Sequence, residues 1–317
     1  QPDKDAIPEV KEIEVPVDAE MGVAVEGSAN WWPLEKSEAV LPEFDCYNQP
    51  SYYIEVFNRG QTPFDFAVDS EAHWLKITPA KGKVEKEQRL WVRVDWPRAP
   101  AGQQRVPIAV TGPNAARVVV QAVINNPAAP KPDRVKGFIE SNGYVSIEAE
   151  HYTRALGAEE IKWQRIPDLG RTLSAMTPFP VTAESQTPGG ESPRLEYQIH
   201  FFSKGEVRVA TFLSPTLNFH NDQGLRYAIS FDDESPQTIN MHVNKTFRDW
   251  EESVRNNVTV EISKHVIGEP GEHLLKFWMV DPGVVLQKLV IETGDVAPSY
   301  MGPPESFHKT KKNGNSK

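Results

Sequence analysis

Cysteine is almost missing from this sequence. Cys46 is the single one among 317 residues. That excludes an internal disulfide framework and leaves no thiolate cluster to hold a metal. No cysteine-centred motif surrounds Cys46, so it reads as a small buried hydrophobe rather than a nucleophile. Positive charge is also scarce, with 34 Lys and Arg against 44 Asp and Glu for a net charge of −10. Nucleic acids and anionic membrane surfaces both require clustered cations, so neither is expected as a partner. No apolar run approaches the roughly 20 residues that span a bilayer.

The usual signatures of catalysis are missing too. No nucleophile elbow, phosphate loop, HExxH helix or dinucleotide fingerprint occurs. The 8 histidines are scattered, and His273 in GEHLLKFW has no second histidine four residues on, which argues against zinc catalysis. No series of alternating strands and helices is present to build a barrel. The opening QPDKDAIPEVKEIEV is charged and carries no apolar signal segment. The expectation is therefore a cytosolic protein, or numbering that begins after an export signal or partway along a longer chain.

What is present is strand alternation. The segments MGVAVEG (21–27), SYYIEVFN (51–58), PFDFAVD (63–69), WLKIT (74–78), RLWVRVDW (89–96), RVPIAVTG (105–112) and ARVVVQAVI (116–124) are short and bounded by turn residues. In RLWVRVDW, Leu90, Val92, Val94 and Trp96 share one face and Arg89, Trp91 and Arg93 the other, as in a half-buried antiparallel strand. These segments predict an immunoglobulin-like sandwich over residues 1–124. Pro127, Pro130 and Pro132 then stiffen a linker, 125–137. Eight further alternating segments between 144 and 292 predict a second sandwich, of jelly-roll size, over 138–306. The fold class is thus all-β, two β-sandwiches with one short helix. That helix lies in TFRDWEESVRNN, where Phe247, Trp250 and Val254 recur at helical spacing behind a cap at Asn244 or Thr246. Its apolar stripe places Trp250 in the core, and Trp278 reads as packing as well. Trp31 and Trp32 in WWP face opposite ways, leaving at least one for solvent or an interface. The segment 307–317 reads as a disordered tail.

The sharpest question is posed by YVSIEAEHY (144–152). Alternate side chains share a face, so Glu148 and Glu150 point the same way and repel unless something positive lies between them. They are not a glycosidase pair, whose carboxyls must face each other across a sugar. A hard cation such as calcium suits them, and so does a solvated, hydrogen-bonded pair.

Taken in order, IEAEHY, WQRIPDLGRTLSAMTPFPVTA (163–183), LRYAISFDDESPQTINM (225–241), the DWEESVRNN helix and VAPSYMGPPES (296–306) resemble the C-terminal region of glycoside hydrolase family 115. Those enzymes are α-glucuronidases that remove (4-O-methyl)glucuronic acid from xylan. The opening strand also resembles that of carbohydrate-binding modules of families 6 and 35, which implies a structural calcium at Glu148 and Glu150. Gln287 stands where those modules carry an acid. No other cofactor is implied. The first sandwich is similar to modules attached to polysaccharide-degrading enzymes. The resemblance implies a non-catalytic accessory region partnered by an upstream catalytic barrel, a helical domain, glucuronoxylan or a related polysaccharide, and a second subunit, in a secreted or periplasmic setting. An autonomous binding module and a structural spacer are the alternatives. Trp163, Arg165, Arg171 and Met176, in the loop-rich stretch 151–193, are the candidates for sugar contact, because aromatic faces hold sugar rings and the arginine fork matches a carboxylate. The competing reading packs Trp163 under its own loop and pairs Arg171 with Asp168.

Overall fold

The structure is a computed structural model and describes residues 12–158, 160–220, 223–296 and 298–309. Its contacts divide the chain into two units, Gln1–Ala128 and Ala129–Lys317. Both are β-sandwiches. Among the described residues, no helix is long and apolar enough to cross a membrane.

In the first unit, one sheet runs in the order Trp31–Trp32, Met21–Val25, Tyr52–Asn58, Glu87–Val94, Leu75–Thr78. The other is built on the long hairpin Gly102–Thr111 and Arg117–Asn126, flanked by Phe64–Asp69 and Lys81–Val84. Alternation decides which side chains meet between the sheets. Val23, Ile54, Val56, Leu90 and Val92 from one sheet, and Ile108, Val110, Val120, Ala122 and Ile124 from the other, are wholly buried. Each Val, Ile or Leu so buried contributes about 1.5–3 kcal/mol. The segments without a sequence signal are two residues long, too short for alternation to register: Trp31–Trp32, Ala39–Val40 and Phe44–Asp45. Trp32 points inward and its indole donates to the Ser37 carbonyl at 2.6 Å. Trp31 points outward beneath the Arg59 guanidinium, 4.2 Å from its ring. Cys46 is buried.

The second unit is a jelly-roll-like sandwich. One sheet orders Gln237–Asn240, Arg226–Phe231, Gly271–Met279, Arg194–Phe201, Gly137–Ile139 and His308–Lys309. The other orders Lys162–Ile166, Ala175–Phe179, Leu286–Glu292, Gly205–Leu213 and Thr259–Ile267, with Tyr144–Glu148 also paired to Leu286–Glu292. Tyr197, Phe201, Tyr227, Phe277, Leu286 and Leu289 fill the space between them. Tyr197 is wholly buried, and its hydroxyl donates to the Ala149 carbonyl at 2.8 Å, which a buried phenol requires. Trp278 is packing, with its indole donating to Ser230 Oγ at 2.9 Å.

Three findings correct the sequence reading. The stretch 151–193 contains the strands Arg154–Leu156, Lys162–Ile166 and Ala175–Phe179; they are only three to five residues long and none alternates regularly between buried and exposed positions, so their periodicity is weak. The expected disordered tail begins as a strand: His308–Lys309 pairs with Gly137–Ile139, His308 packs against Phe138, and Lys309 Nζ donates to the Asp133 carbonyl. Positions 310–317 of that tail lie outside the described residues. Gly137 permits this arrangement, because its φ is +71° and a Cβ there would lie 2.0 Å from the Gln198 carbonyl oxygen.

The third correction concerns the helix Phe247–Asn256, which contains no buried residue. Phe247 is 75% and Val254 52% exposed, and Trp250 is only half-buried, so the stripe that predicted a core residue packs against no core of its own unit. Local signals hold the helix instead. Thr246 accepts from the Asp249 amide while Asp249 accepts from the Thr246 amide, a reciprocal capping box, and Asn257 closes the far end in the left-handed region. Thr246→Ala is expected to cost about 1 kcal/mol and to speed amide exchange across 247–256 about fivefold. Unchanged exchange there would show that packing, not the cap, sustains the helix.

Candidate functional site

The opening strand of the second unit answers the question its sequence raises. Val145 and Ile147 enter the core, while Ser146 and Glu148 lie on the outer face of the sheet. The antiparallel register sets Glu148 directly opposite Lys288. Lys288 Nζ lies 2.9 Å from Glu148 Oε1, and both residues are only 3% exposed. Thr172 Oγ1 donates to the same carboxylate at 2.6 Å. Glu150, just past the strand end, is paired with Arg165 and accepts the Ser174 amide at 3.1 Å. Burial pushes the Glu150 pKa up, but the Ser174 amide and hydroxyl and the Arg165 guanidinium outweigh it and hold the carboxyl below its ordinary value. Each glutamate therefore has its own protein cation.

These residues do not fit a calcium ion. Calcium needs six to eight oxygens, whereas here one carboxylate is committed to an ammonium and the other to a guanidinium. Gln287, an amide rather than an acid, is spent as well. Its carbonyl accepts the Arg171 amide at 3.1 Å, and its amide donates to Ser214 Oγ at 3.0 Å and to the Asn257 carbonyl at 2.9 Å. Gln287 thus ties the 168–174 loop to the end of the helix. Lys288 carried no separate signal, because its partnership with Glu148 exists only through strand register.

The four residues named for sugar contact do not form one cluster. Met176 is 2% exposed and belongs to the core, so its side chain cannot meet a ligand at the surface. Trp163 packs edge-on against Phe277, with its indole donating to the Leu156 carbonyl at 2.9 Å. Arg165 is half-exposed on Glu150. Arg171 does not pair with Asp168. Its guanidinium lies 3.7 Å over the ring of Tyr300, which is 62% exposed, and its buried Nε has no hydrogen-bond partner among the described residues.

Beside this face a groove is lined by Lys136, Glu150, His151, Tyr152, Gln198 and His308. At its rim the C-terminal segment is stitched along the opening strand. Ser306 and Ser146 exchange hydrogen bonds, and the Glu148 amide donates to Glu305 Oε1 at 3.0 Å. Glu305 is held between His151, at 2.8 Å, and His308, at 3.4 Å. Burial raises the Glu305 pKa, but hydrogen bonds from His151, His308 and the Glu148 amide outweigh it and bring it down to about 2.

These features define an all-β chain whose second sandwich carries a loop-covered polar face. The chain belongs to the glycosyl hydrolase family 115 C-terminal domain family, whose profile matches residues 137–305. It includes a carbohydrate-related accessory domain. Among solved structures it is similar to BtGH115A, a family GH115 4-O-methyl-α-glucuronidase with specificity for decorated arabinogalactans, at 18% identity and TM-score 0.38. That match covers 54% of this chain and 19% of the other, so this chain spans less than a fifth of that enzyme. It is also similar to a family 35 carbohydrate-binding module from Clostridium thermocellum, at 16% identity over 46% of this chain and 97% of that one, TM-score 0.30. A third is the C-terminal CBM6 of LamC from Zobellia galactanivorans, at 13% identity over 47% and 98%, TM-score 0.32. No curated protein matches the sequence.

Proposed function

We propose that this chain is a non-catalytic C-terminal accessory region of an α-glucuronidase acting on (4-O-methyl)glucuronic acid branches of xylan or a related polysaccharide. It serves domain docking and subunit contact, and it touches substrate through Arg171 and Tyr300. The observation that carries the substrate contact is Arg171 lying over the exposed Tyr300 ring with a buried donor left unpaired. A forked cation beside an aromatic face suits a uronate, since the guanidinium matches the carboxylate and the ring matches a sugar face. Arg165 is a second cation on the same loop-covered face, already engaged by Glu150.

Affinity electrophoresis of the full chain through glucuronoxylan and through decorated arabinogalactan tests this reading. Retardation by at least one of them, abolished by Arg171→Ala and by Tyr300→Ala, is the expected result. Retardation unchanged in both variants would move the contact elsewhere. Absence of retardation in the unaltered chain would leave docking as its role, to be read from co-purification with separately expressed catalytic domains.

A further inference from the structure

The histidines look scattered in sequence, yet folding brings two of them, 157 positions apart, onto one carboxylate. We propose that His151, Glu305 and His308 form a binding site for a borderline divalent transition metal, with zinc as the fitting ion. It is separate from the Glu148 and Glu150 pair and differs from it in donor chemistry.

The donor atoms are His151 Nδ1, a Glu305 oxygen and His308 Nε2, all within 4.8 Å of one another. His151 Nδ1 lies 2.8 Å from Oε1 and His308 Nε2 3.4 Å from Oε2. Tetrahedral zinc with bonds of ~2.0–2.1 Å sets its donors roughly 3.3–3.4 Å apart, inside the range these three already span. Two imidazoles and one carboxylate favour zinc, nickel or copper over calcium or magnesium, which prefer oxygen alone. Zinc sites of three protein ligands leave a further position for water or a ligand. Both imidazoles line the groove, as do Glu150 and Tyr152.

The surroundings hold the donors in place. Glu305 is oriented by the Glu148 amide, and Ser306 is bonded to Ser146 in both directions. His308 packs against Phe138 and His151, with ring centroids 4.6 and 4.9 Å away and the planes tilted by 34° in each pair. A hydrogen-bonded support of this kind is what orients metal ligands elsewhere. Metal binding displaces the protons that the imidazoles and carboxylate share and releases them to solvent. The ion then links the end of the opening strand to the C-terminal segment.

The full chain, stripped with a chelator, is titrated with zinc and separately with calcium by calorimetry and thermal unfolding. One zinc per chain is expected, with a raised Tm, and calcium is expected to produce neither. His151→Ala, His308→Ala and Glu305→Gln are each expected to weaken zinc binding about tenfold or more. Should a variant fail to fold, copper bound to the unaltered chain reports the donors directly, and its electron paramagnetic resonance is expected to show two nitrogens. The proposal is overturned if the unaltered chain binds no zinc. It is equally overturned if binding survives in the His151→Ala/His308→Ala double variant, or if copper shows no histidine nitrogens.

Discussion

Lys288→Met is expected to destabilise the second unit by about 3–5 kcal/mol, because it leaves a buried carboxylate without its counter-charge. Glu148 is 3% exposed, and once Lys288 is gone only the Thr172 hydroxyl, among the described residues, still donates to its side chain. The same substitution takes away one of two donors to the Pro303 carbonyl, which Lys288 Nζ reaches at 3.2 Å and the Ser146 hydroxyl at 3.0 Å. The double variant Glu148→Gln/Lys288→Met removes both charges and is expected to recover most of the loss. Urea unfolding of the four proteins in this cycle, followed by tryptophan fluorescence, measures the coupling. A loss below about 1 kcal/mol for Lys288→Met would mean that water reaches Glu148 and screens its charge.

A second large effect is expected at Asp281, whose side chain is wholly buried. It accepts two guanidinium hydrogen bonds from Arg226, at 2.8 and 3.0 Å, the Arg226 amide at 2.9 Å and the Ser185 hydroxyl at 2.6 Å. Burial pushes its pKa up, but Arg226 and Ser185 outweigh it, and the carboxyl sits below its ordinary value. Arg226→Met is therefore expected to cost about 3 kcal/mol at neutral pH. The sign of the pH dependence follows. A depressed folded pKa contributes stability that is present above the unfolded value of about 3.9 and is lost as pH falls through the folded one. Without the Arg226 guanidinium, burial is opposed only by the Ser185 hydroxyl and the backbone amide of residue 226, and the folded carboxyl takes up its proton more readily. The stability gap between the two proteins should narrow as pH falls below about 4. A gap that stays constant to pH 3 would show that Asp281 does not carry the effect.

The sequence was most legible where a strand has one buried face. In Glu87–Val94 the two-residue period predicts both the burial of Leu90 and Val92 and the exposure of Trp91. Segments of two or three residues carry no period, and so the pairing of His308–Lys309 with Gly137–Ile139 went unseen. The helix shows the opposite failure. Its spacing is genuine, but spacing states only which side chains share a stripe, not whether anything covers it, and Phe247 is exposed. The resemblance to family 115 was legible in motifs and their order, and the profile match over 137–305 agrees. Candidate contact residues were less so: Met176 and Arg171 sit five positions apart, one in the core and one on the surface over Tyr300.

By itself the sequence determined the all-β class, the family and the fact that Glu148 and Glu150 needed positive neighbours. These are local or cumulative properties, written in period, composition and motif order. Only the tertiary structure decided which cations answer them. Lys288 meets Glu148 through antiparallel register, and Arg165 meets Glu150 across a loop. It likewise brought His151 and His308 to Glu305. Such partnerships join residues distant along the chain, and their energies depend on separation and burial, which exist only once the sheets have closed.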